Sequence, residues 1–268
     1  MTDLFKAVIL GIIEGLTEFV PVSSTGHLVL AMPWLGIDEN APPWKAFLYF
    51  IQIGAILAVL IYFARPLVRE LLSKPSRGWT SHMMTKIVIG VIPGGLAGVL
   101  LNDYMENLLE WEAPVAVALI VGGVAMWGIE SRFRREEGPT VETMTIRQAL
   151  YVGLAQCVAI VPGTSRSMAT IMGGLIVGLP AATAAQFSFY LAIPILFGAG
   201  LLRVIKHPEA IVGNHLYVML VGFFVSFVVA WFVVAGFMRY IQRRSLKPFA
   251  IYRILLGVAV LAVWLISG

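Results

Sequence analysis

Residues 14–27 read EGLTEFVPVSSTGH, and this stretch decides the fold because it is polar where the surrounding chain is apolar. It holds two carboxylates, four hydroxyls and one imidazole, in a chain that is 59% hydrophobic. Glu14 and Glu18 are four residues apart, so on a helix they would lie one turn apart on the same face. The sequence therefore predicts a helix that carries two acids into an apolar layer.

A break follows these two acids. Pro21 is expected to end the helix, and either Ser23 or Ser24 is a suitable N-cap for a new one. A helix that begins inside a membrane presents unpaired N–H groups and the positive end of its dipole, which favour an anion such as phosphate. Nearby carboxylates would repel that anion unless a cation or shared protons intervene. The combination indicates metal-assisted or acid/base chemistry on a phosphate group.

The composition of the chain is that of a polytopic membrane protein. Its 268 residues are 13% charged and have a mean hydropathy of +0.87, whereas a soluble domain would carry about 25% charged residues. The net charge of +4 comes from basic residues in loops between apolar spans, so nucleic-acid binding is not expected. The single cysteine, Cys157, excludes an intrachain disulfide. Glu14 interrupts the first apolar run, so no cleavable signal peptide is expected.

Hydrophobic run lengths predict an all-α fold with six transmembrane helices and two re-entrant hairpins. Two apolar stretches, at about residues 4–35 and 146–178, are interrupted by Pro21 and Pro162 and are too short on either side to span a bilayer. Such breaks are tolerated only where protein or a wet cavity covers them, which favours hairpins. The full spans are predicted at about residues 44–63, 84–101, 113–130, 181–202, 216–238 and 249–267.

The distribution of basic residues predicts the orientation of the chain. The loops at 64–86, 131–147 and 239–248 hold thirteen of the nineteen Lys and Arg residues, including Lys74, Arg77 and Lys86. The positive-inside rule places these loops in the cytoplasm and both termini outside. The opposite loops, at 37–45, 101–113 and 203–214, hold only Lys45, Arg203 and Lys206, and the middle one carries acids that include Asp103, Glu106 and Glu110.

In this topology one hairpin enters from outside and the other from inside, which predicts a single membrane domain with inverted repeats at about 1–130 and 146–268. Broken helices of such repeats meet near the bilayer midplane and form the binding site. Aligning Pro21 with Pro162 pairs Ser23 with Thr164 and Ser24 with Ser165.

Several polar residues leave two interpretations open. Arg166 in an apolar context needs an anionic partner, either Glu14 or Glu18 in a structural ion pair, or the oxygens of a bound phosphate. His27 is either a packing histidine bonded to a carbonyl or a group that transfers protons or contacts phosphate. The hydroxyls of residues 23–25 are either helix caps or substrate contacts. Three other expectations concern structure: Glu130 is expected to be solvated, and Gln186 and Ser188 are expected to make interhelical hydrogen bonds.

Two motifs resemble a known family. EGLTEFVPVSSTGH at 14–27 and PGTSRS at 162–167 look like the two signatures of the bacterial undecaprenyl-pyrophosphate phosphatase (bacitracin-resistance) family. Chain length, spans and motif spacing also agree. The resemblance implies an inner-membrane hydrolase that converts undecaprenyl pyrophosphate to undecaprenyl phosphate and inorganic phosphate, recycling the lipid carrier of peptidoglycan synthesis. It also implies a site that opens toward the periplasm and a requirement for Mg²⁺ or Ca²⁺.

The resemblance also implies roles for individual residues. The expected catalytic residues are Glu14, Glu18, Ser24, His27 and Arg166, of which Glu14 and Glu18 would hold the divalent cation. The expected phosphate contacts are Ser23, Thr25, Gly163, Thr164, Ser165 and Ser167. Two residues depart from the family pattern: Met168 replaces the usual Gly and is expected to narrow the pocket, and Gln186 stands where an acid is common. The expected partners are a polyprenyl pyrophosphate and membrane lipids, and a homodimer is left open.

The sequence leaves the nucleophile and one alternative function undecided. Ser24 could attack phosphorus, with Glu18 or His27 as its base, or a metal-activated water could do so. Inverted repeats with broken helices are also typical of transporters, so a flippase of a phosphorylated lipid is the alternative. A membrane form of the acid phosphatase fold is set aside, because no histidine lies near the Ser165-Arg166 pair.

Overall fold

The computed structural model describes residues 2–38, 41–72, 78–109, 112–206 and 214–267. Within these ranges the chain forms eleven α-helices, two short 3-10 helices and no strand. The α-helices are α1 Asp3–Thr17, α2 Ser24–Trp34, α3 Pro42–Tyr62, α4 Ala64–Leu72, α5 Met83–Leu109, α6 Glu112–Phe133, α7 Ile146–Gln156, α8 Arg166–Ile176, α9 Ala181–Lys206, α10 Asn214–Ile241 and α11 Lys247–Ser267. The 3-10 helices are Trp79–Ser81 and Cys157–Ile160.

Six of the helices in the described ranges are long and apolar enough to cross a membrane: α3, α5, α6, α9, α10 and α11. They expose large apolar side chains such as Val99, Phe232 and Leu255, an arrangement that suits a lipid environment. The predicted all-α, multi-pass membrane fold is confirmed, and all six predicted spans fall within these helices to within a residue.

The four remaining helices of the two broken segments are too short to span. α1 has 15 residues and is therefore about 22 Å long, less than the ~30 Å of a hydrocarbon core. α2, α7 and α8 have 11 residues each. The first segment breaks between α1 and α2 and the second between α7 and α8, as the prolines predict, and each segment forms a helical hairpin inside the bundle.

The two hairpins pack reciprocally against the opposite halves of the chain. α1 lies on α10, where a Cβ built on Gly15 would be 2.8 Å from the carbonyl oxygen of Ser226. α7 lies on α5, where Gly153 faces the backbone of Gly90. Side chains at these glycines would separate the helices, so the small residues fix the depth of each hairpin. Inverted repeats produce such exchanged packing, and the repeat boundaries at 1–130 and 146–268 stay a prediction.

The backbone geometry of one serine in each turn shows which residues of the two hairpins are equivalent. Ser23 and Ser165 have φ angles of 75° and 76°, and in the described chain they are the only residues other than glycine with positive φ. Each is an N-cap whose hydroxyl accepts the N–H three residues later, from Gly26 and Met168, at 3.3 Å in both cases. Ser23 therefore corresponds to Ser165, and the alignment through the prolines is wrong by one residue.

The predicted loops are more ordered than expected, and one expectation about their polar residues is wrong, because Glu130 is not solvated. The basic loop at 64–86 contains α4, and Lys86 at its end is buried, donating to the carbonyl oxygens of Val141 at 3.2 Å and Glu142 at 2.6 Å. Glu130 is only 2% exposed because its carboxylate closes the end of α6 against the turn before α11. It accepts the N–H of Leu246 at 2.7 Å and the hydroxyl hydrogen of Ser245 at 3.0 Å, and it pairs with Arg134 at 2.8 Å.

Some predicted loop charges lie outside the described part of the chain. These are Lys74, Arg77 and Glu110, together with the side chains of Asp103, Glu106, Arg203 and Lys206.

Candidate active site

The two hairpin turns meet at a cavity of about 250 Å³. Predicted site residues line it from both sides: Glu18, Ser23, Ser24 and Thr25 from the first hairpin, and Gly163, Ser165 and Arg166 from the second. The sequence places these two groups about 140 residues apart, and the exchanged packing of the hairpins brings them together. The other predicted residues, Glu14, His27, Thr164 and Ser167, lie outside the lining.

Glu18 joins the two hairpins at the cavity. It caps the C-terminus of α1, donating its N–H to the carbonyl of Glu14 at 3.0 Å, and the residue is 7% exposed. One carboxylate oxygen, Oε1, accepts from Arg166 Nη2 at 2.9 Å. The other, Oε2, accepts a hydrogen bond from the hydroxyl of Ser24. A single carboxylate thus contacts both a hydroxyl at the start of α2 and a guanidinium at the start of α8.

Arg166 is the first residue of α8, and its guanidinium is divided between two partners. Nη2 pairs with Glu18, and Nη1 donates to the carbonyl oxygen of Ser188 at 3.1 Å. Its Nε is buried and has no hydrogen-bond partner among the described residues. Of the two interpretations of Arg166, the ion pair with Glu18 is present in this structure. The unpartnered Nε and the position of Arg166 on the cavity leave it able to bind an anion as well.

The adjacent serines have different environments. The hydroxyl of Ser23 accepts the N–H of Gly26, so this residue is a helix cap. The hydroxyl of Ser24 points instead to Glu18, a carboxylate that can accept its proton. Since Ser24 is the first residue of α2, its hydroxyl also lies at the positive end of that helix dipole. Thr25 lines the cavity and is exposed.

His27 does not line the cavity, and the hydrogen bonds of its ring go to residues other than Ser24. Its Nδ1 lies 2.7 Å from the carbonyl oxygen of Ser23, and its Nε2 lies 2.7 Å from the hydroxyl of Tyr252. Because a carbonyl oxygen only accepts, Nδ1 carries the proton, and the Nε2 of the neutral ring accepts from Tyr252. The two rings also stack, with centroids 5.6 Å apart. Of the two bases predicted for Ser24, only Glu18 is in contact with it.

Arg253 is a functional candidate that sequence analysis missed. It is fully buried in α11 and donates to the carbonyl oxygens of Pro21 at 3.3 Å and Gly163 at 3.0 Å, one in each hairpin turn. It also donates to the carbonyl oxygen of Ala118 at 3.2 Å. Arg253 therefore fixes the two turns relative to each other. The signal was a lone arginine inside an apolar span, which is expensive unless it has a task.

The remaining predicted residues support the hairpins. The hydroxyl of Ser167 is fully buried and donates to the carbonyl oxygen of Val20 at 3.0 Å, which is a second bond between the hairpins. Met168 is 5% exposed and packs in the core rather than on the cavity, so the expectation that it narrows the pocket is wrong. The phosphate-contact roles of Thr164 and Ser167 stay predictions.

The two polar residues predicted on α9 have different outcomes. Ser188 forms a 2.6 Å hydrogen bond with Thr170 of α8, so the interhelical bond predicted for it is confirmed. Gln186 donates to the hydroxyl of Tyr190 at 2.8 Å, and both residues belong to α9, so the interhelical prediction for Gln186 is wrong.

The two glutamates have the chemistry of a Mg²⁺ or Ca²⁺ site but do not form a complete one. Glu14 is fully buried, and both of its carboxylate oxygens lack a hydrogen-bond partner among the described residues, so they are available as ligands. Both oxygens of Glu18 already have partners, although each oxygen has a second lone pair. The described chain holds no group of three or more His, Cys, Asp or Glu residues suited to a metal. Mg²⁺ commonly uses one or two carboxylates and completes its coordination with water and substrate phosphate, which fits this pair.

Comparison with known proteins assigns the family. The family model described as "Bacitracin resistance protein BacA" matches residues 7–259, from α1 into α11. The chain belongs to the BacA family.

Three BacA-like relatives illustrate the extent of the similarity. Undecaprenyl-diphosphatase 1 of Clostridioides difficile (strain 630) is 41% identical over 267 residues, which cover 98% of this chain and 96% of the relative.

The other two relatives carry the same activity in their names. The undecaprenyl-diphosphatase of Sorangium cellulosum (strain So ce56) is 44% identical over 272 residues, covering 97% of this chain and 86% of the relative. The undecaprenyl-diphosphatase of Novosphingobium aromaticivorans (strain ATCC 700278) is 43% identical over 273 residues, covering 99% of each chain. All the residues of the candidate site lie within the BacA match, which begins inside α1.

Proposed function

We propose that this BacA family member is a membrane phosphatase that hydrolyses undecaprenyl pyrophosphate to undecaprenyl phosphate and inorganic phosphate. The observation that carries the proposal is the Ser24–Glu18–Arg166 chain of contacts at the cavity between the hairpin turns. It combines a nucleophile, a base and an anion-binding guanidinium at the starts of two helices. The named activity of the relatives supports the choice of substrate.

The reaction needs positioning and charge neutralisation more than covalent chemistry from the protein. Arg166 and the free N–H groups at the start of α8 bind the oxygens of the terminal phosphoryl group. The Ser24 oxygen attacks its phosphorus while the Ser24 proton passes to Glu18, and the bond to the bridging oxygen breaks. Undecaprenyl phosphate leaves, and water then cleaves the phosphoserine to give inorganic phosphate and free Ser24. Direct attack by water on the lipid is the alternative for the first step.

A divalent cation would be held by Glu14, with Glu18 as its second carboxylate. Such an ion supplies charge neutralisation for the pyrophosphate. Glu14 contributes two unpartnered oxygens that would otherwise be buried at a cost.

The proposed location is the bacterial plasma membrane, which is the inner membrane where two membranes exist. Basic loops are assigned to the cytoplasm by the positive-inside rule, so both termini are assigned to the periplasmic side. The opening of the site toward the periplasm is what the resemblance to the family implies. Hydrolysis there returns the lipid carrier to cell-wall synthesis.

One experiment separates this function from flipping of a phosphorylated lipid, the alternative that the exchanged hairpins favour. Purified protein in detergent is given undecaprenyl pyrophosphate, and phosphate release is measured with Mg²⁺, with Ca²⁺ and with a chelator. We expect release with metal and its loss with chelator. Absence of release, combined with lipid transfer between the leaflets of reconstituted vesicles, would establish the flippase instead.

Substitution of the two glutamates tests the metal proposal in the same assay. Glu14→Gln and Glu18→Gln should each lower turnover strongly and raise the Mg²⁺ concentration needed for half-maximal rate, because a neutral amide is a weaker ligand. Glu136→Gln, in an exposed loop, is the control and should behave as the wild type. A variant with wild-type rate and metal dependence would exclude that residue as a ligand.

A further inference from the structure

Gln156, the last residue of α7, has a buried amide that the protein does not use. The residue is 4% exposed, and neither Nε2 nor Oε1 has a hydrogen-bond partner among the described residues. Buried amides are nearly always hydrogen-bonded, because an unpaired one has lost its bonds to water without replacing them. A residue that lowers stability in this way is typical of a functional site.

The amide belongs to the cavity that holds Ser24 and Arg166, since Gln156 is one of the residues that line it. Gly94 of α5 also lines the cavity, and a Cβ built there would collide with Gln156 Nε2. Because Gly94 has no side chain, there is room for the side chain of Gln156. The next residue, Gly95, has no comparable neighbour, because the nearest atom to its Cβ position is 4.0 Å away.

The correspondence of the hairpins gives Gln156 a counterpart. Ser23 matches Ser165, and Glu14 and Gln156 each lie nine residues before their serine. Both side chains are buried and both have two unpartnered polar atoms. The equivalent position therefore carries an acid in one hairpin, where it suits a cation, and a neutral amide in the other, where it donates a hydrogen bond without adding negative charge.

We propose that Gln156 contacts the substrate, its Nε2–H group donating a hydrogen bond to a pyrophosphate oxygen of the bound lipid. The inference rests on the proposed function and adds a binding residue to it. A neutral donor suits this position, because the charge of Arg166 is already shared with Glu18 and a further carboxylate would repel the anion. Substrate binding supplies the partner that the free protein lacks.

Replacement by leucine separates a binding role from a structural one. Gln156→Leu replaces the amide by an apolar side chain of similar size, so kcat/KM should fall about tenfold to a hundredfold, the range for a hydrogen bond to a charged group. The Tm should be unchanged or higher, because an unpaired buried amide has been removed. The matched control is Gln186→Leu, which removes an amide bonded to Tyr190 outside the cavity and should lower Tm with little change in KM.

A second pair of variants tests the position of the Gln156 amide without replacing that residue. Gly94→Ala places a methyl group where Gln156 Nε2 lies, so it should raise KM in the same direction as Gln156→Leu. Gly95→Ala adds the same methyl group to the adjacent position, where it has room, and should match the wild type. Equal KM values for Gly94→Ala and Gly95→Ala would count against the proposal.

A binding measurement tests Gln156 without relying on turnover. Inorganic pyrophosphate should raise the Tm of the wild-type protein, because a ligand that binds only the folded state stabilises it. Gln156→Leu should need about tenfold more pyrophosphate or more for the same rise. If both proteins respond at the same concentration, the proposal is overturned, whereas absence of phosphate release by the wild type would overturn only the proposed function.

Discussion

At the scale of single residues, the contact between Ser24 and Glu18 is the most informative. Ser24→Ala should reduce phosphate release to background, because it removes the hydroxyl that Glu18 is placed to deprotonate. Ser23→Ala should leave a measurable rate, because the hydroxyl of Ser23 is used as a helix cap. Acid quench of the wild-type enzyme during turnover should trap phosphoserine at residue 24.

If Ser24→Ala keeps more than a few per cent of the wild-type rate, water is the nucleophile and Ser24 only binds phosphate. Tyr252→Phe is the control for the contacts of His27. It removes the partner of His27 Nε2 and leaves the Ser24–Glu18 bond in place.

Arg166→Lys tests the guanidinium. The change keeps a positive charge but not the two directed N–H groups that reach Glu18 and Ser188, so a point charge cannot reproduce the geometry. The rate should fall roughly a hundredfold or more, about 2.7 kcal/mol in the activation barrier. Steady-state phosphate release measures it, and a rate near the wild type would leave Arg166 a purely structural partner of Glu18.

The sequence predicted the residues that lie near each other in the chain better than those joined by folding. Glu18 and Ser24 were found because six residues and one proline separate them, a spacing that a helix break brings into contact. Arg253 was missed because its partners lie in turns 90 and 232 residues away. The choice between Glu18 and His27 as the base was not accessible either, since it depends on Tyr252, which belongs to the far end of the chain.

At the scale of elements, the hairpin turns show what a breaker residue does and does not determine. Pro21 and Pro162 locate the breaks correctly, since proline cannot continue a helix. They do not locate the helix starts, which depend on the serines with positive φ. Side chains other than glycine rarely adopt this backbone region, and its occurrence in both turns next to the cavity fits the concentration of backbone strain at functional sites.

At the end of α6, Glu130 makes contacts that should stabilise the fold without affecting substrate binding. The buried carboxylate of Glu130 pairs with Arg134 at 2.8 Å and accepts from the hydroxyl of Ser245 at 3.0 Å and from the N–H of Leu246. Glu130→Ala leaves these donors without their acceptor, so the free energy of unfolding should fall by about 3 kcal/mol. Thermal unfolding of the purified protein measures the loss.

Glu136→Ala, in the exposed loop beyond, is the matched control and should leave Tm unchanged. KM for the lipid should stay the same in both variants, because neither residue lines the cavity. A large rise in KM for Glu130→Ala would connect this end of the bundle to the site.

At the scale of the whole molecule, hydrophobic length was sufficient to predict the six spans, because a bilayer fixes the length of an apolar helix. The same argument could not predict α4, whose nine residues include none that is buried and which lies within a stretch assigned to a loop. Lys86, which the charge count places in a cytoplasmic loop, is buried against the loop after α6, and the orientation itself stays a prediction.

The orientation can be tested by labelling in intact cells. In a Cys157→Ser background, a cysteine at Asp38 should react with an impermeant thiol reagent, and one at Glu137 should react only after the cells are opened. Both positions are exposed in the structure, so access to the reagent depends on the side of the membrane. The opposite labelling pattern would reverse the assignment of both termini to the periplasm.

The position of Arg253 has a consequence for biosynthesis. The bond between Arg253 and Pro21 spans 232 residues, so translation at about 5–20 residues per second separates its two ends by roughly 10 to 50 seconds. During that interval the first hairpin lies in the membrane without its hydrogen bond to Arg253, and the cavity is incomplete. We therefore expect a nascent chain to become active only after α11 has inserted.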